Sequence, residues 1–558
     1  MPQNTREKFS IFMQCENKRQ AYSFSICLVL IFVFQILVCI IKIYILVKIA
    51  KEVIKMAIKV NSAAFTGVEG IMVDVEVDIG RGLPSFNIVG LGDIAVKESK
   101  ERVRTSLINS GFEFPVGRIT VNLAPADVKK EGCLFDLAIA IGILKESGQI
   151  TMDIDDYIFL GELSLRGELR AIRGTLPIII GGIENKFNKF IIPISNSIEA
   201  SLVKNSEVYP LETLKEVVSY LQYKDLMPFY AEDSISRTVE YNIDFEEVIG
   251  QESVKRAIEV AAAGNHNIIL YGPPGTGKTM LAERIPTILP DLSYEESLEC
   301  TKVYSVAGEL NREYNLISNR PFRSPHHTAS KIALIGGGSK LLPGEISLAH
   351  NGVLYLDEML EFNRNSLEAL RQPLENRKVK ISKSTGTVEY PCNFMLVSSL
   401  NPCPCGNYGS GNCICTDYER KRYIKKLSGP LMDRIDIFAF VNKLNFKDIG
   451  NGKKEESSKL IKKRIERARE LQKERFQGLQ IRTNGEMSSS QIKKYCVLGE
   501  KEKVFIEKVY NKFNFSTRVY HKVLKLARTL ADLEGNDLIE EQDLIEAIQY
   551  RRFLSDVV

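Results

Sequence analysis

The chain has 558 residues, of which 44% are hydrophobic and 26% charged, an ordinary globular composition with room for several domains. The net charge of +4 is concentrated in residues 1–55, where eight lysines and arginines face three acids, so residues 56–558 carry a net charge of −1. This distribution excludes a strongly basic core, and any nucleic-acid-binding surface must therefore be a local patch.

The first 55 residues differ in character from the rest. Residues 22–41 form an uncharged run long enough to span a bilayer, with lysines on both sides that leave its orientation open. Alternatively, the stretch Lys51-Glu-Val-Ile-Lys-Met56 can be encoded by DNA that carries a bacterial ribosome-binding sequence ahead of the methionine codon. We expect translation to start at Met56, which would make residues 1–55 a mis-assigned extension; otherwise they predict one transmembrane helix.

Residues 56–222 predict an α/β domain. Residues 71–78 alternate apolar and acidic side chains as a half-buried strand does. Helical spacing of apolar residues predicts helices at 95–110 and 135–144. Further strands are predicted at 86–90, 118–123, 158–161, 167–172 and 190–193. The charged stretch 223–243 has no apolar periodicity and is predicted to be a linker.

Residues 244–485 predict a doubly wound α/β core. A helix at 254–263 and a strand at 266–271 are followed by a glycine-rich loop and a helix at 279–288. Two further buried strands are predicted at 352–358 and 394–401. Strands that alternate with helices indicate a parallel sheet. A basic helix is predicted at 457–476, with either a solvated or a phosphate-contacting face, and residues 486–558 predict a helical lid.

The glycine-rich loop carries the strongest chemical signal in the chain. Its spacing, two glycines five positions apart followed by lysine and threonine, is that of a P-loop, whose backbone N–H groups and helix N-terminus bind phosphate. The lysine is expected to reach the β- and γ-phosphates of ATP, and the threonine hydroxyl to bind Mg²⁺. The predicted nucleotide-binding residues are Gly272, Pro273, Pro274, Gly275, Thr276, Gly277, Lys278 and Thr279.

Three polar residues follow the next two predicted strands. Asp357 and Glu358 end the strand at 352–358, and Asn401 ends the strand at 394–401. Carboxyl ends of parallel strands are where open α/β sheets bind ligands. Asp357 is predicted to hold Mg²⁺ through water, Glu358 to act as the general base, and Asn401 to orient the attacking water.

Four cysteines lie within thirteen residues, at Cys403, Cys405, Cys413 and Cys415. Four thiolates on a loop rich in glycine and asparagine can close tetrahedrally around Zn²⁺. Free thiols and a redox pair are the alternatives. The other cysteines are scattered, which with the P-loop indicates a reducing, cytoplasmic location in a bacterium; the protein would be a single-pass membrane protein if the N-terminal run is translated.

Several longer motifs make residues 56–558 resemble the ComM/YifB family of magnesium-chelatase-like AAA+ ATPases. The motifs are Phe86-Asn-Ile-Val-Gly-Leu-Gly92, Leu123-Ala-Pro-Ala-Asp127, Pro321-Phe-Arg-Ser-Pro-His-His327, Asn401-Pro-Cys-Pro-Cys-Gly406, Gly429-Pro-Leu-Met-Asp-Arg-Ile-Asp436 and Ser516-Thr-Arg518. The resemblance implies a Lon-protease/S5-like N-terminal domain, a P-loop AAA+ doubly wound parallel-sheet core and an α-helical C-terminal lid of the magnesium-chelatase type.

The resemblance also implies roles for two arginines. Arg434 lies where this clade supplies an arginine finger to the γ-phosphate of the neighbouring subunit, and Arg518 matches the sensor arginine of the lid. Their alternatives are a surface pair of Arg434 with Asp433 or Asp436, and a structural salt bridge of Arg518. If both roles hold, the protein works as a ring, expected to be a hexamer. Residues 321–350 resemble the helix-2 insertion, a hairpin in a central pore or else a passive surface loop.

The N-terminal domain lacks the serine and lysine that Lon uses for proteolysis. The segment Lys130-Glu-Gly-Cys-Leu-Phe-Asp136 corresponds to the serine motif and contains none, and residues 171–177 contain no lysine. Cys133 is then the remaining nucleophile, without a histidine before His266. We interpret it as a structural thiol and the domain as catalytically degenerate.

The expected activity is Mg²⁺-dependent ATP hydrolysis. The resemblance implies that hydrolysis drives DNA remodelling, as a helicase or branch-migration motor linked to transformation. The alternatives are a chelatase-like motor acting on a protein partner, against which the Lon-like domain argues, and a protease-like or unfoldase ATPase.

Overall fold

The computed structural model describes residues 57–90, 94–126, 130, 132–230, 241–310, 316–383, 386–408, 413–444, 455–513 and 515–551, with positions 36, 38, 40 and 42. Apart from these four positions, the predictions for residues 1–55 and Met56 lie outside the described residues. Within the described part of the chain, every helix is too short or too polar to cross a lipid bilayer.

The N-terminal domain contains two main sheets, each with helices packed on it. The first has the strand order β1-β2-β4-β3, with β2 antiparallel and β3 parallel to β4. The second is parallel, in the order β5-β8-β9, and β6 and β7 form a short antiparallel pair. The strands are β1 (Ile58–Thr66), β2 (Glu69–Gly80), β3 (Ser85–Val89), β4 (Arg118–Ala124), β5 (Tyr157–Phe159), β6 (Glu162–Leu163), β7 (Leu169–Arg170), β8 (Lys189–Pro193) and β9 (Glu207–Leu211).

The helices of this domain confirm both helical predictions. Ala138 to Leu144 are all buried in the second of them, which packs on β2. The linker predicted at residues 223–243 starts only after Tyr223, where the last helix of the domain ends. Residues 231–240 lie outside the described residues. The helices are Ile94–Asn109, Asp136–Glu146, Thr175–Glu184, Ser197–Ser201 and Leu214–Tyr223.

The N-terminal domain packs directly against a helix of the core, Tyr294–Ala307. The Tyr294 hydroxyl donates to the Leu202 carbonyl at 2.5 Å, and the Ser305 hydroxyl donates to the buried Glu199 carboxylate. Burial raises the pKa of Glu199, and the hydrogen bonds from Ser305 and from the backbone N–H of Leu176 oppose that rise. Because the buried Glu199 carboxylate needs hydrogen-bond donors, the bond from Ser305 of the core stabilises the contact between the two domains.

The core is a five-stranded parallel sheet in the order β11-β14-β17-β10-β18. Met395 to Leu400 are all buried in the central strand, and Val353 to Leu356 are all buried in the strand beside it, as expected of a sheet covered on both faces. This confirms the doubly wound prediction. The strands are β10 (Ile268–Tyr271), β11 (Phe322–Arg323), β14 (Val353–Leu356), β17 (Met395–Leu400) and β18 (Ile437–Phe440).

Helices cover both faces of this sheet. The P-loop helix begins at Lys278, and the predicted basic helix runs over Ser458–Arg475. The longer helices of the core are Glu252–Gly264, Lys278–Ile288, Tyr294–Ala307, Asp417–Ile424 and Ser458–Arg475; the short ones are Lys331–Ile335, Glu345–Leu348, Arg364–Ala369, Arg371–Asn376 and Gly429–Met432.

Three cations of the basic helix contact other parts of the chain. Arg464 pairs with Glu259 and Glu456, Arg469 is half-buried and donates to the Ala262 carbonyl, and Lys462 lies 2.6 Å from Asp291. These three cations are therefore engaged in packing, and the phosphate-contacting alternative does not hold for them.

The core contains two β-hairpins. Within the predicted insertion, β12 (Gly336–Gly337) pairs with β13 (Leu342–Pro343). A second hairpin, β15 (Lys378–Lys383) with β16 (Gly386–Pro391), was not predicted. They contact each other, since the Lys383 ammonium donates to the Gly338 carbonyl at 2.9 Å and the Tyr390 hydroxyl to the Leu341 carbonyl at 2.9 Å. We call them together the paired hairpins.

The described residues of the lid form four α-helices, as predicted, joined by one isolated β-bridge between Leu498 and Ile539. Its centre is the carboxylate of Asp532, which is buried, accepts from Arg475 and Asn484 at 2.7 Å each, and also binds Arg528. Apolar side chains surround this network and join the hydrophobic core of the sheet. The lid helices are Ser489–Tyr495, Glu500–Phe513, Thr517–Glu534 and Glu541–Gln549.

We expect Asp532→Asn to lower the free energy of unfolding by about 3 to 5 kcal/mol, because it leaves two buried guanidinium groups without their carboxylate. Denaturant unfolding measures the change. Asp537→Asn, at an exposed position five residues later, is the control and should be nearly neutral. A loss of less than about 1 kcal/mol in Asp532→Asn would contradict the importance of this network.

Candidate nucleotide site

The P-loop joins β10 to the helix Lys278–Ile288, as predicted. Gly275 and Gly277 have φ values of 74° and 87°, a left-handed conformation that side chains other than glycine rarely adopt. The Lys278 ammonium donates to the carbonyls of Gly272 at 2.8 Å and Pro273 at 2.9 Å. Burial lowers the pKa of Lys278, and the charges of Asp357 and Glu358 act in the opposite direction. The lysine is thus held inside the loop with two carboxylates nearby.

Asp357 lies just beyond β14, and two hydroxyl groups orient its carboxylate. The Tyr355 hydroxyl donates to Oδ1 of Asp357 at 2.8 Å and also lies 3.3 Å from the Thr279 hydroxyl. The Ser399 hydroxyl donates to the same Oδ1. Every hydrogen bond that Asp357 accepts from described residues therefore goes to Oδ1. Oδ2 of Asp357 remains available to a metal-bound water, and carboxylate oxygens of this kind suit Mg²⁺.

Tyr355 and Ser399 are functional candidates that sequence reasoning did not identify. Both lie inside buried strands, and burial raises the pKa of Tyr355, so its hydroxyl stays protonated and can donate. Tyr355 links the carboxylate of one strand to the threonine of the P-loop helix. The pair Thr279 and Asp357, predicted to serve the metal, is thus connected through a single phenol.

Glu358 follows in a left-handed conformation with a φ of 47°. Its backbone N–H donates to the Ser399 hydroxyl at 2.9 Å and lies 3.2 Å from Oδ1 of Asp357. These contacts hold the turn, and the Glu358 side chain is exposed at the carboxyl edge of the sheet. A non-glycine residue in this conformation costs free energy that the surrounding contacts offset, which is typical of functional positions.

Asn401 follows β17, the strand between β14 and β10. Its Oδ1 lies 3.4 Å from the Lys278 ammonium. The strand register sets Leu400 beside Tyr271 and Ser398 beside Leu356, so the P-loop, Asp357, Glu358 and Asn401 lie at one edge of three adjacent strands. The structure therefore brings together all the predicted nucleotide and water-binding residues.

The four cysteine sulfurs form a compact cluster. Sγ of Cys403 is 3.4 Å from that of Cys405 and 3.7 Å from that of Cys413, and all four sulfurs lie within 4.8 Å of one another. A tetrahedral zinc site with Zn–S bonds of about 2.3 Å requires about 3.8 Å between sulfurs. The spacing fits such a site. Burial raises the pKa of Cys403 to about 12, whereas backbone N–H groups of Asn407 and Ile414 lower that of Cys405 to about 6.

The cysteine loop packs against the P-loop. Gly406 has a φ of 76°, and a Cβ atom placed there would lie 2.8 Å from Cδ of Pro274. The glycine thus permits a close approach that another residue would prevent. The cysteine cluster and the phosphate-binding loop are direct neighbours.

Arg434 lies at the opposite edge of the sheet. Its carbonyl accepts from the side chain of Asn267, the residue before β10, whereas the P-loop follows β10. Its guanidinium donates to the carbonyls of Arg371 at 2.9 Å and Pro430 at 2.6 Å, and pairs with Glu375. The alternative pairing with Asp433 or Asp436 is wrong. A strand of four residues, about 13 Å long, separates Arg434 from the P-loop of its own chain.

Arg518 begins the lid helix Thr517–Glu534 and lies near Arg434 rather than near the P-loop. Its guanidinium is 67% exposed and 3.4 Å from the Asp433 carboxylate. The salt bridge foreseen as an alternative is therefore present, but so exposed a pair contributes little stability. Arg434 and Arg518 line one cleft, of about 530 Å³, between core and lid.

Cys133, in the Lon-like region, is not an activated nucleophile. Burial and the charge of Asp136 raise the pKa of the Cys133 thiol to about 12. Asp136 is itself buried and bound by Arg102 at 2.8 Å. Such surroundings are typical of an inert thiol. The adjacent His326 and His327 have ring centroids 4.0 Å apart, with the rings tilted by 37°, and have no third metal ligand among the described residues.

Family models match three consecutive parts of the chain. One described as magnesium chelatase, subunit ChlI, matches residues 244–449, and its C-terminal counterpart matches residues 455–551. A third, described as subunit ChlI of Mg-chelatase, matches residues 75–196. A chelatase-named model thus also covers the N-terminal domain, so this domain does not argue against a chelatase-type motor, contrary to our expectation.

Similar proteins extend over nearly the same length. The chain is 42% identical over 499 residues to competence protein ComM of Haemophilus influenzae, which covers 88% of this chain and 97% of the relative. It is 41% identical over 500 residues to the YifB protein of Escherichia coli, covering 88% and 96% respectively. A shorter match, 27% identical over 145 residues, joins 24% of this chain to 26% of Lon protease 2 of Bacillus subtilis.

Proposed function

The chain belongs to the ComM/YifB family of magnesium-chelatase-like AAA+ ATPases, and from this premise we propose that it is a ring-forming motor that hydrolyses ATP to remodel DNA. The cluster of Lys278, Asp357, Glu358 and Asn401 at one edge of the sheet carries the proposal of hydrolysis. The opposite placement of Arg434 supports the ring.

In the proposed reaction, the P-loop N–H groups and Lys278 bind the β- and γ-phosphates. Thr279 and Asp357 would hold Mg²⁺, which would supply positive charge against the phosphate oxygens. Asn401 orients a water that attacks the γ-phosphorus, and Glu358 accepts a proton from it. The bond between the γ-phosphorus and the bridging oxygen breaks, and ADP and phosphate leave. Tyr355 and Ser399 keep the Asp357 carboxylate turned toward the metal.

Arg434 would complete the site of a neighbouring subunit. A planar guanidinium suits the charge that spreads over the γ-phosphate in the transition state. Because Arg434 lies at the far edge of its own sheet, it can serve only another chain. A head-to-tail contact that repeats in this way gives a ring when the rotation between subunits closes, and we propose a closed ring of six.

The paired hairpins support DNA as the object of the motor. Lys340 is exposed at the turn of the first hairpin, and Lys378 and Lys380, two positions apart, are exposed on one face of the second. Lys383, at the end of that strand, is also exposed and donates to the Gly338 carbonyl. Lys378 is partly neutralised by Glu389 at 2.9 Å. Residues 56–558 carry a net charge of only −1, and a local group of lysines within them is the kind of patch that binds phosphate backbones. The name of the competence relative points in the same direction.

The test is ATP hydrolysis with and without forked DNA, together with strand separation. We expect DNA to stimulate hydrolysis, and stimulation to decline steeply with salt. Lys340→Ala combined with Lys380→Ala should weaken the stimulation, and Lys503→Ala, in the exposed pair with Glu500, should not. Absence of both stimulation and strand separation in the wild type would exclude a DNA motor.

A chelatase-type motor that acts on a protein partner is the second candidate. All three matching family models carry a magnesium-chelatase description. The protein would then be stimulated by a porphyrin-binding partner and not by DNA. Stimulation by casein would instead support an unfoldase, although the surroundings of Cys133 disfavour peptidase activity.

We propose that the cysteine cluster binds one structural Zn²⁺. Purified protein is expected to contain about one zinc per chain, and Cys413→Ser to lose most of it, because three thiolates bind zinc less tightly than four. Metal analysis by mass spectrometry measures both. Cys133→Ser, outside the cluster, is the control. A wild-type zinc content near zero under reducing, chelator-free conditions would contradict the proposal.

A further inference from the structure

The cleft between core and lid has an unusual balance of charges. Four carboxylates line it, and each is paired with one cation: Glu375 with Arg434, Glu486 with Arg377 at 3.6 Å, Asp433 with Arg518 at 3.4 Å, and Asp436 with Lys522. These pairings use every carboxylate that lines the cleft.

Lys525 is a fifth cation in the same cleft. It lies one turn after Lys522 on the lid helix, and its ammonium donates to the Gly485 carbonyl at 3.0 Å. No carboxylate of the described residues lies within salt-bridge distance of it. Burial lowers its pKa to about 8, and the charges of Lys522 and Arg377 act in the same direction, while Asp436 opposes them.

An uncompensated, largely buried cation is costly unless an anion joins it. The cleft of about 530 Å³ has the size of a small-molecule site and opens beside Arg434 and Arg518. Lys525 follows Arg518 by seven residues, which sets both on the same side of the helix. Three cations from two domains therefore surround one cavity, with Arg434 contributed by the core and the others by the lid.

We propose that this cleft receives the polyphosphate of the nucleotide bound to the neighbouring subunit, and that Lys525 binds one of its phosphate oxygens. The inference rests on the proposed ring and adds Lys525 to its inter-subunit site. Lys525 has no carboxylate partner among the described residues and can therefore bind the incoming polyphosphate directly. Arg434 and Arg518 must first release the carboxylates with which they pair.

The experiment uses the full chain without DNA. Lys525→Met keeps the packing of the stem and removes the charge, and should lower kcat/KM for ATP by about 10- to 100-fold, as expected for the loss of a hydrogen bond to a charged group. Lys525→Arg should recover most of the activity. Lys508→Met, exposed on the neighbouring lid helix, is the control. Lys525→Gln is a second neutral variant should Lys525→Met unfold.

Mixed rings separate an inter-subunit role from a structural one. Lys525→Met subunits keep an intact P-loop, and Lys278→Ala subunits keep an intact Lys525. If Lys525 acts on the neighbour, mixing the two restores some complete sites, and activity exceeds the mean of the separate variants. If Lys525 acts within its own chain, mixing restores none.

Arg434→Ala mixed with Lys278→Ala provides the reference. Rescue in the reference but not with Lys525→Met would overturn the role of Lys525 and leave the proposed ring intact. Full activity of Lys525→Met alone would overturn it as well. A wild type that neither hydrolyses ATP nor sediments as an oligomer would instead refute the proposed function itself.

Discussion

Replacing Arg434 with alanine is expected to lower kcat for ATP hydrolysis by about 1,000- to 100,000-fold, the usual contribution of an arginine finger. The guanidinium would stabilise charge that develops on the γ-phosphate of a neighbouring subunit, and alanine leaves that charge unopposed. Steady-state hydrolysis at saturating ATP measures the effect. Arg364→Ala, exposed in the same core, is the control and should change kcat little.

Two further measurements distinguish this role from a structural one. Glu375→Ala removes the carboxylate that pairs with Arg434 and leaves the guanidinium in place. If Arg434 mattered only for this ion pair, both variants would be equally impaired. Since the Glu375 side chain is 62% exposed, we expect Glu375→Ala to be folded and active. A loss below tenfold in Arg434→Ala would show that the finger lies elsewhere.

Glu358→Gln is expected to lower the rate of hydrolysis by about 100- to 10,000-fold, the usual contribution of a general base. Affinity for ATP should stay close to that of the wild type, because the carboxylate acts on water only in the transition state. Single-turnover hydrolysis and equilibrium ATP binding measure the two quantities. Glutamine has nearly the same shape and backbone preferences, so the left-handed turn at this position is retained.

The matched control is Glu361→Gln, three residues later at an exposed position paired with Lys426 at 3.6 Å. It should hydrolyse ATP like the wild type. If Glu358→Gln fails to bind ATP, the carboxylate supports the fold of the site instead. If it hydrolyses ATP normally, another group activates the water.

The sequence predicted the parts of the nucleotide site that depend on local pattern. Lys278, Asp357 and Asn401 each follow a segment that is recognisable as a buried strand. Because the carboxyl ends of the strands in a parallel sheet share one edge, this pattern alone predicts that the three residues lie close together. The roles of Arg434 and Arg518 could be predicted only from the family resemblance. Their surroundings, such as the pairing of Arg434 with Glu375, join distant segments and could not be predicted.

Sequence analysis did not identify Tyr355 and Ser399 because their positions within buried strands are typical of core residues. A signal existed: each lies two positions before a predicted site residue, Asp357 and Asn401, and so on the same face of its strand. The hairpin of β15 and β16 was also missed. Its sequence Lys378-Val-Lys-Ile-Ser-Lys383 alternates charged and apolar residues as an exposed strand does.

In the proposed ring, the opposite placement of Lys278 and Arg434 on one sheet would give each subunit one end that supplies the arginine and one end that holds the nucleotide. An open row of subunits then has one complete site fewer than it has members, because its last P-loop meets no arginine. Only closure gives every bound nucleotide its partner. Activity per chain would accordingly rise with protein concentration until rings form. Replacing the arginine of one subunit would inactivate the nucleotide site of its neighbour, whereas the P-loop of the altered subunit itself would remain active.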